Sequence, residues 1–231
     1  MKAAVFHGGS RNGNTHAATK IFLNEIAKCG DAHIEEFFLH EAAPGFCTGC
    51  AVCMSGGYER CPHAKQLAPL LEAIKTSEAL VFTTPHYGAC AMSGAMKSLL
   101  DHLGFLVMNV APMPEIFEKK AMIITTGAGS SAAIRPIKSF LNHWGVNRVY
   151  SLGFKMFTDK WEKVEAKRLI KFEKKIKRAA RKFYFLRKHP ARLSVIFYFY
   201  VSRFIVKKFI GPGNYPYEYW ARSGFFAKRP F

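Results

Sequence analysis

Short apolar runs alternate with amphipathic segments through the first two thirds of this chain, and few architectures accept that order. Lys2 to His7, His33 to Leu39, Ala79 to Thr84, Lys120 to Thr126 and Val146 to Phe154 read as strands. Between them, apolar residues recur at three and four positions, as a helix facing a core requires. Ala17, Ala18, Ile21, Phe22 and Ile26 form one such set, closed by Cys29-Gly30. Leu67, Leu70, Leu71 and Ile74 form the next, on a helix over Ala64 to Thr76. Met92 to Phe105 and Ala132 to Trp144 complete the series, and a long basic helix begins at Thr158, with Thr158 or Asp159 as its N-cap. Strands of this apolar kind are buried on both faces, which predicts a parallel sheet covered by helices on each side.

Five such units predict an α/β fold of three layers. It is the flavodoxin-like, doubly wound, five-stranded parallel sheet of order 2-1-3-4-5. Ligands of such sheets bind outside the carboxyl ends of the strands. Three loops there are rich in small and polar residues. Gly8-Gly9-Ser10-Arg11-Asn12-Gly13-Asn14-Thr15 precedes the first helix and offers backbone N–H groups, hydroxyls and amides to an anion. It is neither a Gly-Lys-Ser/Thr phosphate loop nor a G-x-G-x-x-G dinucleotide loop. The loop after the third strand carries Pro85, His86, Tyr87 and Gly88, against which a planar ring would rest. The loop after the fourth carries Thr126, Gly127, Ala128 and Gly129, with no bulky side chain to keep a ring away.

The second distinctive feature is FCTGCAVCMSGGYERCP, in which Cys47, Cys50, Cys53 and Cys61 are spaced C-x2-C-x2-C-x7-C. Four thiolates on one loop (46–62) suit an iron–sulfur cluster. The same four suit tetrahedral zinc, and a loop of this kind also occurs without metal. His63 lies just beyond and is expected to face solvent. The amino terminus, MKAAVFHGGS, lacks the pattern of a secretory signal, so a cytoplasmic protein with reduced thiols is expected.

Charge divides the chain. Residues 1–157 carry 14 Lys and Arg against 11 Asp and Glu, whereas residues 158–231 carry 20 against 5. The expected organisation is therefore a cofactor domain over 1–157, a basic last helix over 158–188, and a basic, aromatic extension over 189–231. In the helix, Trp161, Val164, Ile176 and Phe183 are placed to face the sheet. In the extension, Leu193, Ile196, Phe197, Tyr200, Val201 and Phe204 share one helical side. That side reads as packing on the core or a partner subunit, or as a peripheral contact of residues 190–210 with a membrane surface. Nothing resembles a nucleic-acid-binding fold.

Residues 8–15, Thr-Pro-His-Tyr-Gly at 84–88 followed by Met92-Ser93-Gly94-Ala95-Met96-Lys97 and Asp101, and Thr-Thr-Gly-Ala-Gly at 125–129 resemble the NADPH-dependent FMN reductases. The cysteine run after the second strand brings the chain closer to the iron–sulfur flavoproteins. The resemblance covers residues 1–157. It implies FMN, with its phosphate on residues 10–15 and its isoalloxazine against 85–88 and 126–129. It also implies a [4Fe–4S] cluster on Cys47, Cys50, Cys53 and Cys61, and a dimer or tetramer. The implied activity is that of an FMN-dependent oxidoreductase or electron-transfer protein. Its donor and acceptor are small molecules or proteins, with NAD(P)H or a ferredoxin as the donor. The alternatives are an NAD(P)H-dependent FMN or quinone reductase without a cluster, and a non-enzymatic zinc- or membrane-associated module. His86 departs from the family pattern, in which a small or aliphatic residue is common.

Overall fold

A computed structural model describes residues 1–87, 92–186 and 190–231. Strands β1 (Lys2–His7), β2 (His33–Phe38), β3 (Ala79–Pro85), β4 (Lys120–Thr126) and β5 (Arg148–Phe154) form one sheet. All pairings are parallel, and the order is β2-β1-β3-β4-β5, as the alternation requires. Helices α1 (Asn14–Cys29), α2 (Leu39–Ala42), α3 (Val52–Gly56), α4 (Ala64–Thr76), α5 (Gly94–His102) and α6 (Ser130–Trp144) come between the strands; α7 (Ala166–Tyr184), α8 (Leu193–Ile205) and α9 (Tyr215–Arg222) follow.

The period-two alternation of the strands separates two cores. Ala4, Phe6, Leu80, Phe82 and Ile123 face α4, α5 and α6, where they meet Leu67, Leu70, Met96, Leu99, Ile137 and Trp144. Ala3, Val5, Val81, Met122 and Ile124 face the other way, toward Phe22 and Ile26 of α1 and Ile176, Ala180 and Phe183 of α7.

Several boundaries differ from expectation by one to three residues, and the starts of two helices have an evident cause. The third helix of the pattern, α5, starts at Gly94, where the Ser93 side chain accepts from the Met96 N–H, and not at Met92. The last helix starts at Ala166 rather than at Thr158. Before it, a 3₁₀ turn at Trp161–Lys163 carries Trp161 and Val164 into the core beside α1. Thr158 instead offers its carbonyl to Asn14 Nδ2 at 2.8 Å, and Asp159 pairs with Lys163.

The extension folds onto its own chain. Trp220 is fully buried and donates from Nε1 to the Met108 carbonyl at 3.0 Å. It stacks on Phe199 of α8, with centroids 5.2 Å apart. Phe225, Val195, Val206 and Phe117 complete this third core. Tyr215 and Tyr219 of α9 pack against the first core, next to the cysteine loop. Tyr219 Oη donates to the Pro112 carbonyl.

Candidate active site

The loop after β1 enters the site through Gly8, whose N–H donates to the Thr83 carbonyl at 2.7 Å. A Cβ at Gly8 would lie 2.5 Å from Ser93 Oγ and 2.9 Å from Met96 Cβ, so glycine is required by the close approach of α5. Ser10, Arg11 and Asn12 turn outward and are exposed. Gly13 then caps α1 with no side chain bonded to the first-turn N–H groups, which leaves that helix end open to an anion. Thr15 is buried, and its hydroxyl meets the Thr126 hydroxyl at 2.7 Å, which ties the first loop to the end of β4.

The other two loops lock together through His86. Its backbone N–H donates to the Thr126 carbonyl at 2.8 Å, and the Gly129 N–H donates to its Nδ1 at 3.2 Å. The neutral ring therefore carries its proton on Nε2. His86 is 8 % exposed, and Nε2 has no hydrogen-bond partner among the described residues. Asn14 Oδ1 is a second buried atom without a partner. Gly129 lies beneath the imidazole, since a Cβ there would stand 2.7 Å from His86 Cε1. Gly127, at φ +139°, would place a Cβ 2.7 Å from the His86 carbonyl oxygen. The glycines expected to admit a ring thus first admit His86, a role that the spacing of small residues does not disclose.

Pro85 is half-buried against Gly9, Tyr87 is largely exposed, Ala128 is exposed, and Gly88 lies outside the described residues. Arg11 is placed away from the helix end, with its guanidinium 3.5 Å from the centroid of the Phe38 ring and Nη2 at 3.0 Å from Glu41. The remaining residues of the three loops converge at the carboxyl ends of β1, β3 and β4. They fit FMN: an open helix end for phosphate, small residues at the strand ends, and the buried donor and acceptor of His86 and Asn14 without partners. A cleft of about 580 Å³ opens at the opposite edge of the sheet, beside Glu78 and Arg148. Its Lys120 already donates to the Phe183, Tyr184 and Leu186 carbonyls, so it seats the end of α7.

Next to the first loop is a histidine cluster that motif reading misses. His7 is buried at the end of β1 and bonds Glu36 Oε2 at 2.7 Å and Thr83 Oγ1 at 3.2 Å. His16 lies beside it, 5.3 Å between centroids. Burial, partly opposed by Glu36, pushes His7 below the ordinary imidazole value, and burial does the same to His16. The unfolded chain therefore binds protons at these sites before the folded one does. Their stabilising contribution is complete above about pH 6.5 and is lost as pH falls through the lower folded value. We expect the acid side of a melting-temperature profile against pH to steepen below that point, and His7→Gln to flatten it. An unchanged slope would show that the cluster titrates normally.

The cysteine loop leaves β2 at the same edge. Gly49 (φ +70°), Ala51 (φ +58°) and Gly57 (φ +92°) give it three left-handed turns, and Ala51 adopts its turn despite carrying a Cβ. Ser98 Oγ of α5 donates to the Gly45 carbonyl and anchors the entry. Cys47 and Cys50 are exposed, while Cys53 and Cys61 pack against the first core. Burial first, and then the neighbouring Cys61, push the Cys53 thiol up. By chemistry the four thiols suit a cluster that takes four thiolates, although of the four only Cys61 stands in a close group of donors among the described residues, and that group does not include the other three cysteines. The His63 N–H points at Cys61 Sγ from 3.5 Å. Contrary to expectation, the His63 side chain does not face solvent: its Nδ1 lies 2.7 Å from Nε2 of the buried His102. His102 Nδ1 in turn bonds the Ser98 carbonyl at 2.9 Å. Donor atoms of Cys61, His63 and His102 lie within 4.8 Å of one another.

Comparison with known proteins agrees with this geometry. An iron-sulfur flavoprotein of Clostridioides difficile is 27 % identical over 215 residues, covering 90 % of each chain. Among solved structures, an NAD(P)H:quinone oxidoreductase from Methanothermobacter marburgensis superposes with a TM-score of 0.62 at 15 % identity, over 80 % of this chain and 98 % of the other. An NADH:FMN oxidoreductase in its apo form gives 0.58 at 20 % identity, over 82 % and 91 %. At these identities the solved structures establish the fold. The family model for NADPH-dependent FMN reductase matches residues 1–162, the whole sheet and its three site loops. The chain belongs to the NADPH-dependent FMN reductase family and is an FMN-dependent oxidoreductase.

Proposed function

We propose that this oxidoreductase carries a [4Fe–4S] cluster on Cys47, Cys50, Cys53 and Cys61 beside its FMN, and moves electrons between NAD(P)H or a ferredoxin-type donor and an acceptor through that pair. The observation that carries the reading is that four free thiols stand on one loop, which follows β2 and is anchored by the bond from Ser98 Oγ to the Gly45 carbonyl. The likeness to an iron-sulfur flavoprotein supports it. FMN supplies the ability to accept two electrons and release them singly, which suits a one-electron cluster.

The chain's own residues bind and shield. The open end of α1, with the N–H groups of Asn14 and Thr15, would receive the phosphate. Pro85, His86 and Tyr87 on one loop and Thr126 to Gly129 on the other would meet the ring. His86 Nε2–H is held as a donor by the Gly129 bond to Nδ1, so it cannot rotate to offer an acceptor without breaking that bond. No protein group is required to move a proton for electron transfer itself.

A second reading is favoured by one observation. Cys61, His63 and His102 form a three-donor constellation. The bond from His102 Nδ1 to a backbone carbonyl is the kind that orients an imidazole for a metal. A mononuclear zinc there would make the protein a flavin reductase without a cluster. Anaerobic purification followed by visible spectroscopy and analysis of iron, labile sulfide and zinc separates the two. We expect flavin bands with a broad charge-transfer shoulder, and iron and sulfide in equal amounts. Both should be lost, with FMN retained, in a Cys47→Ser/Cys50→Ser variant. Zinc that survives that variant and disappears in His102→Asn would replace the cluster reading with the mononuclear one. Protein lacking flavin bands would remove both.

A further inference from the structure

Helix α8 carries apolar residues on two sides, which meet different surroundings. Val195, Phe199, Ser202 and Val206 are buried against Trp220, Phe225 and Phe117. The side that the sequence marks as apolar is the opposite one, and it faces out. Leu193 is 85 % exposed, Phe197 64 %, Phe204 56 %, and Phe209 on the following π turn 76 %. Tyr200 and Val201 lie between them and are also exposed. Large apolar side chains gathered on one helical stripe mark an interaction surface.

The charges around that stripe are of one sign. Residues 190–217 carry four Lys and Arg and no Asp or Glu. Arg192 precedes α8, Arg203 lies within it, and Lys207 and Lys208 follow it. Lys207 and Lys208 are exposed and have no ion-pair partner among the described residues. A second copy docked here would set these cations against their own counterparts, with no carboxylate on residues 190–217 to meet them. An anionic bilayer offers what the face lacks: negative headgroups for the lysines and an acyl boundary for the aromatics. No helix among the described residues is long and apolar enough to cross a membrane, so contact would be lateral.

We propose that the exposed face of α8, with Lys207 and Lys208 at its end, is a docking surface for an anionic phospholipid bilayer. Leu193, Phe197, Phe204 and Phe209 would enter the headgroup boundary while Val195, Phe199 and Val206 keep the helix on the protein. This inference does not depend on the state of the cysteine loop.

The test is co-sedimentation of the full-length, flavin-loaded protein with vesicles of phosphatidylcholine alone or mixed equally with phosphatidylglycerol. Binding is expected to the mixed vesicles, and is expected to weaken as salt is raised. Phe197→Ser/Phe204→Ser should reduce it about tenfold or more. Lys207→Glu/Lys208→Glu should do so by about the same factor. All these positions are solvent-exposed, so an unchanged flavin spectrum and melting temperature will show that the variants fold. Equal binding to neutral vesicles, no binding, or binding indifferent to both variants would overturn the proposal. So would a native dimer that Phe197→Ser/Phe204→Ser converts to monomer in the absence of lipid binding, which would assign the face to a second copy.

Discussion

Trp220→Ala is expected to lower stability by about 3–5 kcal/mol, the usual loss when a fully buried tryptophan is truncated. The indole is enclosed by Phe199, Phe225 and Phe226, and it satisfies the Met108 carbonyl, which would be left without that bond. The effect should reach beyond the extension. Helix α9 carries Tyr215 and Tyr219 against the cysteine loop, and a Cβ on Gly57 of that loop would lie 3.1 Å from Tyr215 Oη. Loosening α9 should therefore increase the reactivity of Cys53 and Cys61 toward a thiol reagent while leaving Cys47 and Cys50, already exposed, unchanged. Urea unfolding with thiol counting measures both. Phe197→Ala, on the solvent side of the same region, should change stability by no more than about 0.5 kcal/mol. Equal losses for the two substitutions would mean that the extension does not pack as described.

The second large effect is expected at Gly127. Alanine there must hold φ near +139° and also place its Cβ 2.7 Å from the His86 carbonyl oxygen and 2.9 Å from His86 Cβ. Backbone strain of this kind costs about 1–3 kcal/mol, and a clash with main chain cannot be relieved by a side-chain rotation. The loops after β3 and β4 should separate, breaking the bonds from the His86 N–H to Thr126 and from the Gly129 N–H to His86. We expect FMN affinity to fall about 100-fold, from an overpacking penalty of up to ~3 kcal/mol, by fluorescence titration of the apoprotein. Lys138→Ala, exposed on α6 and outside the three loops, should bind FMN normally. If Gly127→Ala bound FMN as tightly as the native chain, the joined loops would not be the ring site.

Much of the fold was legible because its signals are local and repeated. Ala64–Thr76 and Lys120–Thr126 were bounded by periodicity to the residue, since each sits between clear turn signals. The start of the last helix was not, because Thr158 and Asp159 look like N-caps in the sequence. Their bonds to Asn14 and Lys163 depend on where α1 and the 3₁₀ turn lie in space. The loops after β1, β3 and β4 were legible as clusters of small residues at strand ends. The orphaned Nε2 of His86 was not, because it depends on a bond across two loops.

By itself, the sequence determined the layered sheet, its strand order, the three site loops and the spacing of the four cysteines. These rest on periods of two and 3.6 and on turn residues, which act over a few positions. Only the tertiary structure decided which side of α8 is covered, since a helix with apolar residues on two sides carries no instruction about its own orientation. It also brought His102 from α5 to His63, 39 residues away, and turned Arg11 toward Phe38 and Glu41. Contacts at such separations follow from how the sheet stacks its helices, and no local pattern in the chain encodes them.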